Sequence, residues 1–394
     1  MNAAPNRVVI IGAAAGGLAA AEGLRRAGFG GVITLVGDEP RLPYDRPPLS
    51  KQLLAGQWAP DRLALRPATD IDALGLELRL GVAASAVNTG RRVVTLADDT
   101  HLPYDALIVA TGVRARRLPG TDDLAGVHTL RTLPDALALK ERLRPGRHLV
   151  IVGAGFVGAE VAATARGLGV RVTLLESGPV PLALAVGEEA GQLMTRLHVE
   201  HGVTVRTQVS VTSVLGARPM GVRLADGTVV PADDVLVAIG SVPNTEWLAG
   251  SGLSVHDGLV CDQYSSAAHG VYGVGDVARW HNPLFGTHMR VEHRTNTAEQ
   301  GMAVARDLLG EPRPFAPVPY FWSDQYGTKF QAYGHLRDHD EALVLDSDHL
   351  LVAYRKADRL VGVLAAGLSP KALRAWRALI AARAPWTTAL TTAA

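Results

Sequence analysis

The chain begins with a pattern of apolar and polar positions typical of an α/β protein. The β-branched run 8–11 is typical of a strand buried on both faces. The glycine- and alanine-rich residues 12–17 then indicate a turn, and residues 18–27 have the composition of a helix. A second apolar run, 33–36, follows and leads into an acidic pair. These residues predict a strand–turn–helix–strand unit.

The same order returns in the middle of the chain. Strands are expected at 149–152 and 171–175, with a glycine-rich turn at 153–158 between them. A helix runs from that turn to about residue 168, and Glu176 ends the unit. Two such units predict two doubly wound α/β domains, each of which binds one dinucleotide.

The glycines of both turns have the spacing of dinucleotide-binding turns. The first glycine allows the tight turn, the second lets the backbone approach a pyrophosphate, and the third lets the helix pack close to the strand. The amides and the dipole of the helix N-terminus then favour the phosphates. The first turn has one exception, because Ala14 stands where the second glycine is expected. We expect nucleotide contacts from Gly12, Ala15, Gly17, Gly153, Gly155 and Gly158.

The pattern changes near the C-terminus. Residues 312–319 carry four prolines and are typical of a linker. Ser369 and Pro370 then have the sequence of a helix N-cap and first position, and the helix is expected to reach about residue 383. Between the linker and the helix, short strands separated by turns rich in Asp and His are expected at 330–333, 342–345, 350–354 and 360–364. This segment predicts a small α+β domain.

Composition excludes several classes of protein. Hydrophobic residues make up 47% and charged residues 20% of the 394, which excludes a disordered chain. The net charge of +1 gives no general attraction to nucleic acid or anionic membranes. We expect no signal peptide at residues 1–7, no transmembrane helix and, with the 13 histidines scattered, no metal site. A single cysteine, Cys261, rules out an internal disulfide and favours the cytoplasm.

Five motifs resemble the FAD-dependent NADH:ferredoxin reductase family, whose members feed small iron–sulfur proteins in bacterial monooxygenase and dioxygenase systems. They are residues 43–51 (PYDRPPLSK), 110–112 (ATG), 153–160 (GAGFVGAE), 273–276 (GVGD) and 321–325 (FWSDQ), of which the first and last are specific to this branch. The resemblance covers essentially the whole chain. It implies an α/β fold with two Rossmann-like dinucleotide-binding domains, as in glutathione reductase, plus a small C-terminal α+β domain. The implied bounds are 1–115 and 243–317 for a discontinuous FAD domain, 116–242 for the NAD domain and 318–394 for the C-terminal domain.

The resemblance also implies contacts with FAD. Asp38, with Glu39 as the neighbouring alternative, matches the acid on the adenosine ribose, and the backbone of Val82 matches the partner of adenine. Asp276 matches the ligand of the ribityl chain, although it could equally cap a helix that starts at residue 277. Arg46 and Arg131 would be solvated if they were isolated surface residues, but both match family residues that contact FAD. The further implied nucleotide contacts are Arg46, Lys51, Ala110, Thr111, Gly112, Arg131 and Gly240.

Two residues are candidates for catalysis. Hydride transfer from NADH to FAD needs alignment and flavin electronics rather than an acid–base group on a substrate carbon. The resemblance implies that Lys51 is a cation near the flavin and that Glu160 pairs with it beside the nicotinamide; alternatively, Glu160 is a solvated helix residue. Glu176 matches the acid on the adenosine ribose of the second nucleotide, and no cation follows it for a 2′-phosphate, so NADH is expected.

Arg294 departs from the family, because many relatives carry an aromatic residue there, against the flavin. We expect it to contact the flavin region or, with Trp322, to form part of a docking surface for the partner. Trp322 could also be a core aromatic of the small domain. Arg294 and Trp322 are therefore candidates for the surface at which the flavin passes electrons to the partner protein.

The cysteine content separates the possible functions. Disulfide reductases, NADH peroxidases and coenzyme A disulfide reductases need a redox cysteine in the FAD domain, and residues 47–51 offer none. Without a thiol relay, electrons leave the flavin directly, which suits a two-iron two-sulfur ferredoxin that serves an oxygenase. The alternatives are a rubredoxin reductase, an NADH oxidase, or a redox-sensing NADH-binding protein resembling apoptosis-inducing factor.

Overall fold

The computed structural model describes residues 5–122, 124–216, 221–347 and 350–393. The expectation that residues 1–7 are not a signal peptide therefore falls mostly outside the described residues. The chain divides into two compact units, and each is built from three segments. The first unit comprises Met1–Asp45, Leu63–Arg114 and Val242–Pro319. The second unit comprises Arg46–Arg62, Ala115–Ser241 and Tyr320–Ala394. The short strands Val113–Ala115 and Ser241–Pro243 and the 3-10 helix Pro60–Leu63 contain boundaries between these segments.

A six-stranded sheet forms the centre of the first unit. Its spatial order is Ser266–Ala268, Val271–Gly273, Ala106–Val109, Arg7–Ile11, Val32–Gly37 and Glu77–Leu80. All neighbours are parallel except the first pair. The strands at 7–11 and 106–109 are almost wholly buried, as expected for β-branched runs covered on both faces.

Two helices of the first unit, Ala15–Arg26 and Arg294–Leu308, pack closely on each other. A Cβ on Gly23 would lie 2.8 Å from the Cβ of Ala305, and one on Gly301 would lie 2.9 Å from the carbonyl oxygen of Gly16. Small residues are therefore required along this contact. The unit also contains the helix Ala68–Asp72 and the 3-10 helices Glu246–Leu248 and Gly275–Val277. An antiparallel sheet comprises Ala84–Asn88, Val93–Leu96 and His101–Pro103. A mixed sheet comprises Leu259–Cys261, Ala278–Asn282 and Thr287–Arg290.

The proline-rich residues 312–319 have no regular structure, but they do not behave as a free linker. Phe315 is buried, and its carbonyl oxygen accepts a hydrogen bond from Trp280 Nε1 at 3.1 Å. The carbonyl oxygen of Pro317 accepts another from Asn282 Nδ2 at 3.1 Å. The segment is thus packed against the sheet that contains Ala278–Asn282, because Phe315 is buried there and two carbonyl oxygens accept hydrogen bonds from side chains of that strand.

The second unit has a five-stranded parallel sheet. Its spatial order is Thr204–Arg206, Arg171–Leu175, His148–Val152, Asp234–Val237 and Val127–His128. The accompanying helices are Leu133–Arg142, Phe156–Gly167 and Ala183–Glu200, with the 3-10 helix Pro47–Ser50. A small antiparallel sheet comprises Val211–Leu215, Gly221–Leu224 and Val229–Pro231. Both predicted strand–turn–helix–strand units are therefore confirmed, with their elements within about three residues of the expected bounds.

The C-terminal segment of the second unit is an antiparallel sheet with two helices. The strands lie in the order Tyr320–Gln325, Thr328–Gly334, Arg359–Ala366, Leu351–Lys356 and Glu341–Asp346, followed by the helices Pro370–Ala381 and Trp386–Ala393. The four predicted strands and the first helix are confirmed, and Ser369 caps that helix by accepting a bond from the Ala372 amide at 3.3 Å. The first strand and the last helix were not predicted. Tyr354 Oη donates to the carbonyl oxygen of Val186 at 2.6 Å, so the sheet packs on the helix Ala183–Glu200.

Within the described residues, no helix combines the length and apolar character needed to cross a membrane. The same part of the chain contains no group of three or more His, Cys, Asp or Glu side chains that could hold a metal ion.

Candidate active site

The first glycine-rich turn is shaped by close backbone approach. Gly12 has φ +121°, and a Cβ there would lie 2.1 Å from the carbonyl oxygen of Ala110. A Cβ on Gly17 would lie 2.1 Å from the carbonyl oxygen of Gly12. The first and third glycines are thus obligatory for steric reasons. The helix starts at Ala15, with Ala14 as its N-cap residue, so the amides of its first turn are presented at the end of the strand 7–11.

The predicted FAD contacts of the first unit gather at the carboxyl edge of its parallel strands. The Ala110 amide donates to the carbonyl oxygen of Ile11 at 2.7 Å, which places residues 110–112 beside the first turn. Asp38 is exposed after the strand Val32–Gly37, whereas Glu39 accepts a bond from Tyr44 Oη at 2.8 Å. The Val82 amide donates to the carbonyl oxygen of Gly37 at 3.0 Å, which fixes the backbone of Val82 beside the end of the strand Val32–Gly37.

Asn244 holds the backbone of the 110–112 motif, a role that the sequence did not predict. Its Nδ2 donates to the carbonyl oxygen of Thr111 at 2.9 Å, and its own carbonyl oxygen accepts from Thr111 Oγ1 at 2.8 Å. Gly112, with φ +62°, accepts from the Asn244 amide at 3.0 Å. The three bonds fix the conformation of residues 110–112.

Asp276 does not cap a helix that starts at residue 277. It lies in the 3-10 helix Gly275–Val277, and the strand Ala278–Asn282 follows. Residues 278–282 alternate between buried and half-buried positions, which is the periodicity of a strand. Thr297 Oγ1 donates to Asp276 Oδ1 at 3.3 Å, and the Gly275 amide donates to Gln300 Oε1 at 2.8 Å. Asp276 is therefore held at the same edge as the first turn.

Arg294 is the first residue of the helix Arg294–Leu308. Its Nε lies 2.8 Å from Asp45 Oδ1, and both side chains are about one-third exposed. The arginine is thus partly neutralised by an aspartate from the 43–51 motif, which limits its charge as a docking group.

The second glycine-rich turn repeats the geometry of the first. Gly153 has φ +98°, and a Cβ there would lie 2.4 Å from the carbonyl oxygen of Ala238. A Cβ on Gly158 would lie 2.1 Å from the carbonyl oxygen of Gly153. A Cβ on Gly155 or on Gly240 would meet nothing within 4 Å among the described residues. The open space at Gly155, at the start of the helix Phe156–Gly167, fits the pyrophosphate of a dinucleotide.

Glu176 is fixed beside this turn. Its Oε2 accepts from the Ala154 amide at 2.8 Å, and its Oε1 accepts from the Gly178 amide at 2.7 Å. Ser177 Oγ lies 3.2 Å from Oε1. The carboxylate is held at the end of the strand Arg171–Leu175, where an acid can accept bonds from ribose hydroxyls.

Arg46 and Arg131 come together in the second unit. Arg46 Nη1 donates to the carbonyl oxygen of Arg131 at 3.1 Å, and both residues are half-buried. The Arg131 amide donates to Asp135 Oδ2 at 2.9 Å, within the capping box that Thr132 and Asp135 form. The two arginines are therefore not isolated solvated side chains.

Lys51 and Glu160 form a buried ion pair. Lys51 Nζ lies 3.0 Å from Glu160 Oε1, and the two residues are only 8% and 6% exposed. Glu160 lies on the helix that starts at the second glycine-rich turn. The alternative that Glu160 is a solvated helix residue is therefore wrong. Burial raises the pKa of Glu160, while Lys51 and hydrogen bonds from Ser50 and Ser323 oppose that rise.

Other polar side chains surround this pair. Glu160 Oε2 accepts from Ser50 Oγ at 2.5 Å, and Oε1 accepts from Ser323 Oγ at 2.8 Å. Asp324 Oδ2 lies 3.7 Å from Lys51 Nζ. Ser50, Ser323 and Asp324 were not predicted as site residues, although the motifs 43–51 and 321–325 contain them.

Trp322 is half-exposed rather than a core aromatic. Its ring stacks on Tyr320 with centroids 6.0 Å apart, and Lys51 Nζ lies 5.8 Å from the ring centroid of Trp322. An aromatic face near a lysine ammonium is a favourable cation–π arrangement. Trp322 thus belongs to the surroundings of the Lys51–Glu160 pair.

Family models match nearly the whole chain. The family described as pyridine nucleotide-disulphide oxidoreductase matches residues 6–301, and the family described as reductase C-terminal matches residues 320–393.

Several curated relatives have similar lengths. The rhodocoxin reductase of Rhodococcus erythropolis is 38% identical over 96% of this chain and 90% of the relative. The ferredoxin–NAD(+) reductase component of the p-cumate 2,3-dioxygenase system of Pseudomonas putida is 38% identical over 84% of this chain and 81% of the relative. The rubredoxin–NAD(+) reductase of the same species is 35% identical over 90% and 94%. Among solved structures, the covalent putidaredoxin reductase–putidaredoxin complex matches with a TM-score of 0.92 and 34% identity over 96% of this chain and 94% of that chain.

Proposed function

Because the chain belongs to the pyridine nucleotide-disulphide oxidoreductase family, we propose that it is an FAD-dependent NADH:ferredoxin reductase. It would pass electrons from NADH through FAD to a two-iron two-sulfur ferredoxin that serves a monooxygenase or a dioxygenase. The observation that carries the proposal is the buried Lys51–Glu160 pair on the helix of the second glycine-rich turn. We place this activity in the cytoplasm, because a chain with a single cysteine has no internal disulfide that would need an oxidising compartment.

The first unit supplies residues that fit FAD. Gly12, Ala15 and Gly17 would hold the pyrophosphate, since they form the turn that leads into the N-terminus of the helix Ala15–Arg26. Asp38 is favoured over Glu39 for the ribose, because Glu39 is already bound by Tyr44. Val82, Ala110, Thr111, Gly112, Asp276 and Arg294 are the remaining proposed contacts of this unit. The predicted contacts Arg46, Lys51 and Arg131 lie in the second unit.

The second unit supplies residues that fit NADH. Gly153, Gly155 and Gly158 would hold the pyrophosphate, with Gly240 as a further backbone contact. Glu176 would accept bonds from the adenosine ribose, and its fixed negative charge disfavours a 2′-phosphate. We retain the proposed bounds of 1–115 with 243–317, 116–242 and 318–394 for the three domains.

When bound, FAD supplies the capacity to accept a hydride and to release electrons one at a time. The protein contributes alignment and electrostatics. Lys51 would provide a positive charge that stabilises the negative charge of the reduced flavin, and Glu160 holds the ammonium group in place. Cys261 is buried, and this burial raises the pKa of its thiol to about 12, which disfavours the thiolate that a redox role needs.

Anaerobic stopped-flow mixing with NADH, followed by turnover with purified acceptors, tests this function. We expect bleaching of a yellow protein by NADH and fast reduction of a ferredoxin. Preferred reduction of rubredoxin or of oxygen would favour a rubredoxin reductase or an NADH oxidase. A long-lived reduced complex with slow turnover on every acceptor would favour a redox sensor. A protein without FAD that is fully active with NADH would overturn the whole proposal.

A further inference from the structure

We propose that Ser323 and Asp324 are positioning residues that set the geometry and charge of the Lys51–Glu160 pair. The inference rests on the proposed function and deepens it, because it gives the C-terminal sheet a part in hydride transfer. Both residues lie on the strand Tyr320–Gln325, and all four belong to the second unit.

The hydroxyl of Ser323 is directed at Glu160. Ser323 is fully buried, and its Oγ accepts a hydrogen bond from Gln325 Nε2 at 3.1 Å. A serine hydroxyl has only one proton to donate, and an amide nitrogen can only donate. The single proton of Ser323 therefore points to Glu160 Oε1, 2.8 Å away. Gln325 fixes the direction of this bond.

The opposite side of the carboxylate is held independently. Ser50 Oγ donates to Glu160 Oε2 at 2.5 Å, and the carbonyl oxygen of Ser50 accepts from Thr164 Oγ1 at 2.8 Å. Each oxygen of Glu160 thus has a serine donor, while Oε1 also carries the ion pair with Lys51. Buried charged groups need such donors, since a charge without partners would be neutralised by a change in protonation.

Asp324 acts on the pair from the Lys51 side. Its carboxylate lies 3.7 Å from Lys51 Nζ and is 32% exposed, whereas the Lys51 and Glu160 side chains are 9% and 8% exposed. Two carboxylates therefore share one ammonium. Among the described residues, the charged groups that face Glu160 are Lys51 directly and Asp324 through Lys51. Asp324 draws the ammonium toward the strand and adds negative charge to the cluster.

The two residues have opposite effects on the protonation of Glu160. Ser323 donates to the carboxylate and favours its charged form, so its removal raises the pKa of Glu160. Asp324 is a like charge in the same cluster, so its removal lowers that pKa. A merely structural role for the strand would produce neither shift.

The test uses the FAD-loaded Ser323→Ala and Asp324→Asn variants. A bond to a charged group is worth about 1.5 kcal/mol, so the acid dissociation constant of Glu160 should fall about tenfold in Ser323→Ala. The acid limb of the pH profile of flavin reduction by NADH should then move up by about one pH unit. It should move down in Asp324→Asn, which removes the negative charge and keeps the size of the side chain. Ser323→Thr, which keeps the hydroxyl, should restore the profile.

A second readout needs no turnover. Difference infrared spectra report the carbonyl stretch of a protonated carboxyl group, and Glu160→Gln identifies the band of Glu160. We expect this band to appear at higher pH in Ser323→Ala and at lower pH in Asp324→Asn. Ser369→Ala is the control, because it also removes a serine side-chain hydrogen bond from the C-terminal segment, the exposed cap of the helix Pro370–Ala381, away from the pair.

The outcomes separate the inference from the function. If Ser323→Ala and Asp324→Asn both titrate like Ser369→Ala while NADH still reduces the flavin, the positioning role is wrong and the function stands. Shifts of the same sign in both variants would also overturn it. If NADH does not reduce the flavin of the unaltered protein, the proposed function is wrong, and the infrared titration still decides whether Ser323 and Asp324 control the proton of Glu160.

Discussion

Glu176 gives a quantitative test of cofactor choice. The amides of Ala154 and Gly178 bind its two oxygens, at 2.8 Å and 2.7 Å, so the negative charge is held beside the second glycine-rich turn. Two like charges about 4 Å apart repel by about 1 kcal/mol in water and by about 4 kcal/mol at an effective dielectric constant of about 20. The half-buried carboxylate lies between these limits. A 2′-phosphate should therefore cost at least about 1.4 kcal/mol, so NADH should exceed NADPH at least about tenfold in kcat/KM.

Glu176→Gln removes the charge and keeps the size of the side chain. We expect the NADH-to-NADPH ratio of kcat/KM to fall about tenfold. The amide offers one acceptor oxygen instead of two, so one backbone amide loses its partner at a cost of about 1–2 kcal/mol in stability. Ferricyanide reduction with each cofactor measures the ratio. Glu200→Gln, the same change at the exposed end of the helix Ala183–Glu200, should leave it unaltered. An unchanged ratio in Glu176→Gln, or an equal fall in Glu200→Gln, would refute the role of this charge.

Three further predictions follow from single contacts. Gly12→Ala places a Cβ 2.1 Å from the carbonyl oxygen of Ala110, so the purified variant should contain less FAD, as measured by flavin absorbance. Gly28→Ala is the control and should retain FAD, because Gly28 also has a positive φ but a Cβ there meets nothing within 4 Å. Asn244→Ala removes the side-chain bond to Thr111 and should cost about 1–2 kcal/mol, measured by urea unfolding, and speed FAD release. The buried His198 has a pKa lowered to about 4, so the folded state binds fewer protons than the unfolded state. The free energy of unfolding should fall by up to about 3 kcal/mol as pH drops from about 6.5 toward about 4, and His198→Gln should flatten this dependence; equal slopes would contradict it.

Sequence alone predicted the parts of the fold that depend on local pattern. The two strand–turn–helix–strand units were found because their strands are continuous apolar runs and their glycines are required by backbone contacts such as that of Gly12 with Ala110. The helix that starts after Ser369 was found because its cap is a property of adjacent residues. Cys261 lies in the core, which is usual for a free cysteine.

The missed features depend on contacts distant in sequence. The strand Tyr320–Gln325 lacks a continuous apolar face. Phe321 packs on the core, but the two buried positions that follow on the same face are Ser323 and Gln325, which form the hydrogen-bond chain to the carboxylate of Glu160. The burial of Glu160 could not be read from its helix, since Ser50 and Ser323 lie 110 and 163 residues away. The role of Asn244 was likewise not predicted, because its partner Thr111 is 133 residues away.

The dependence of ferredoxin reduction on salt tests whether electrons pass from NADH through FAD to a ferredoxin. Reduction of a purified two-iron two-sulfur ferredoxin by NADH is followed anaerobically at rising ionic strength, beside reduction of ferricyanide. Screening shortens the Debye length from about 10 Å at 0.1 M salt to about 3 Å at 1 M, and steering between proteins acts mostly on the association rate. We predict fast ferredoxin reduction that falls steeply with salt while ferricyanide reduction changes much less. Equal responses to salt, or no ferredoxin that outperforms ferricyanide at low concentration, would contradict the ferredoxin reductase assignment.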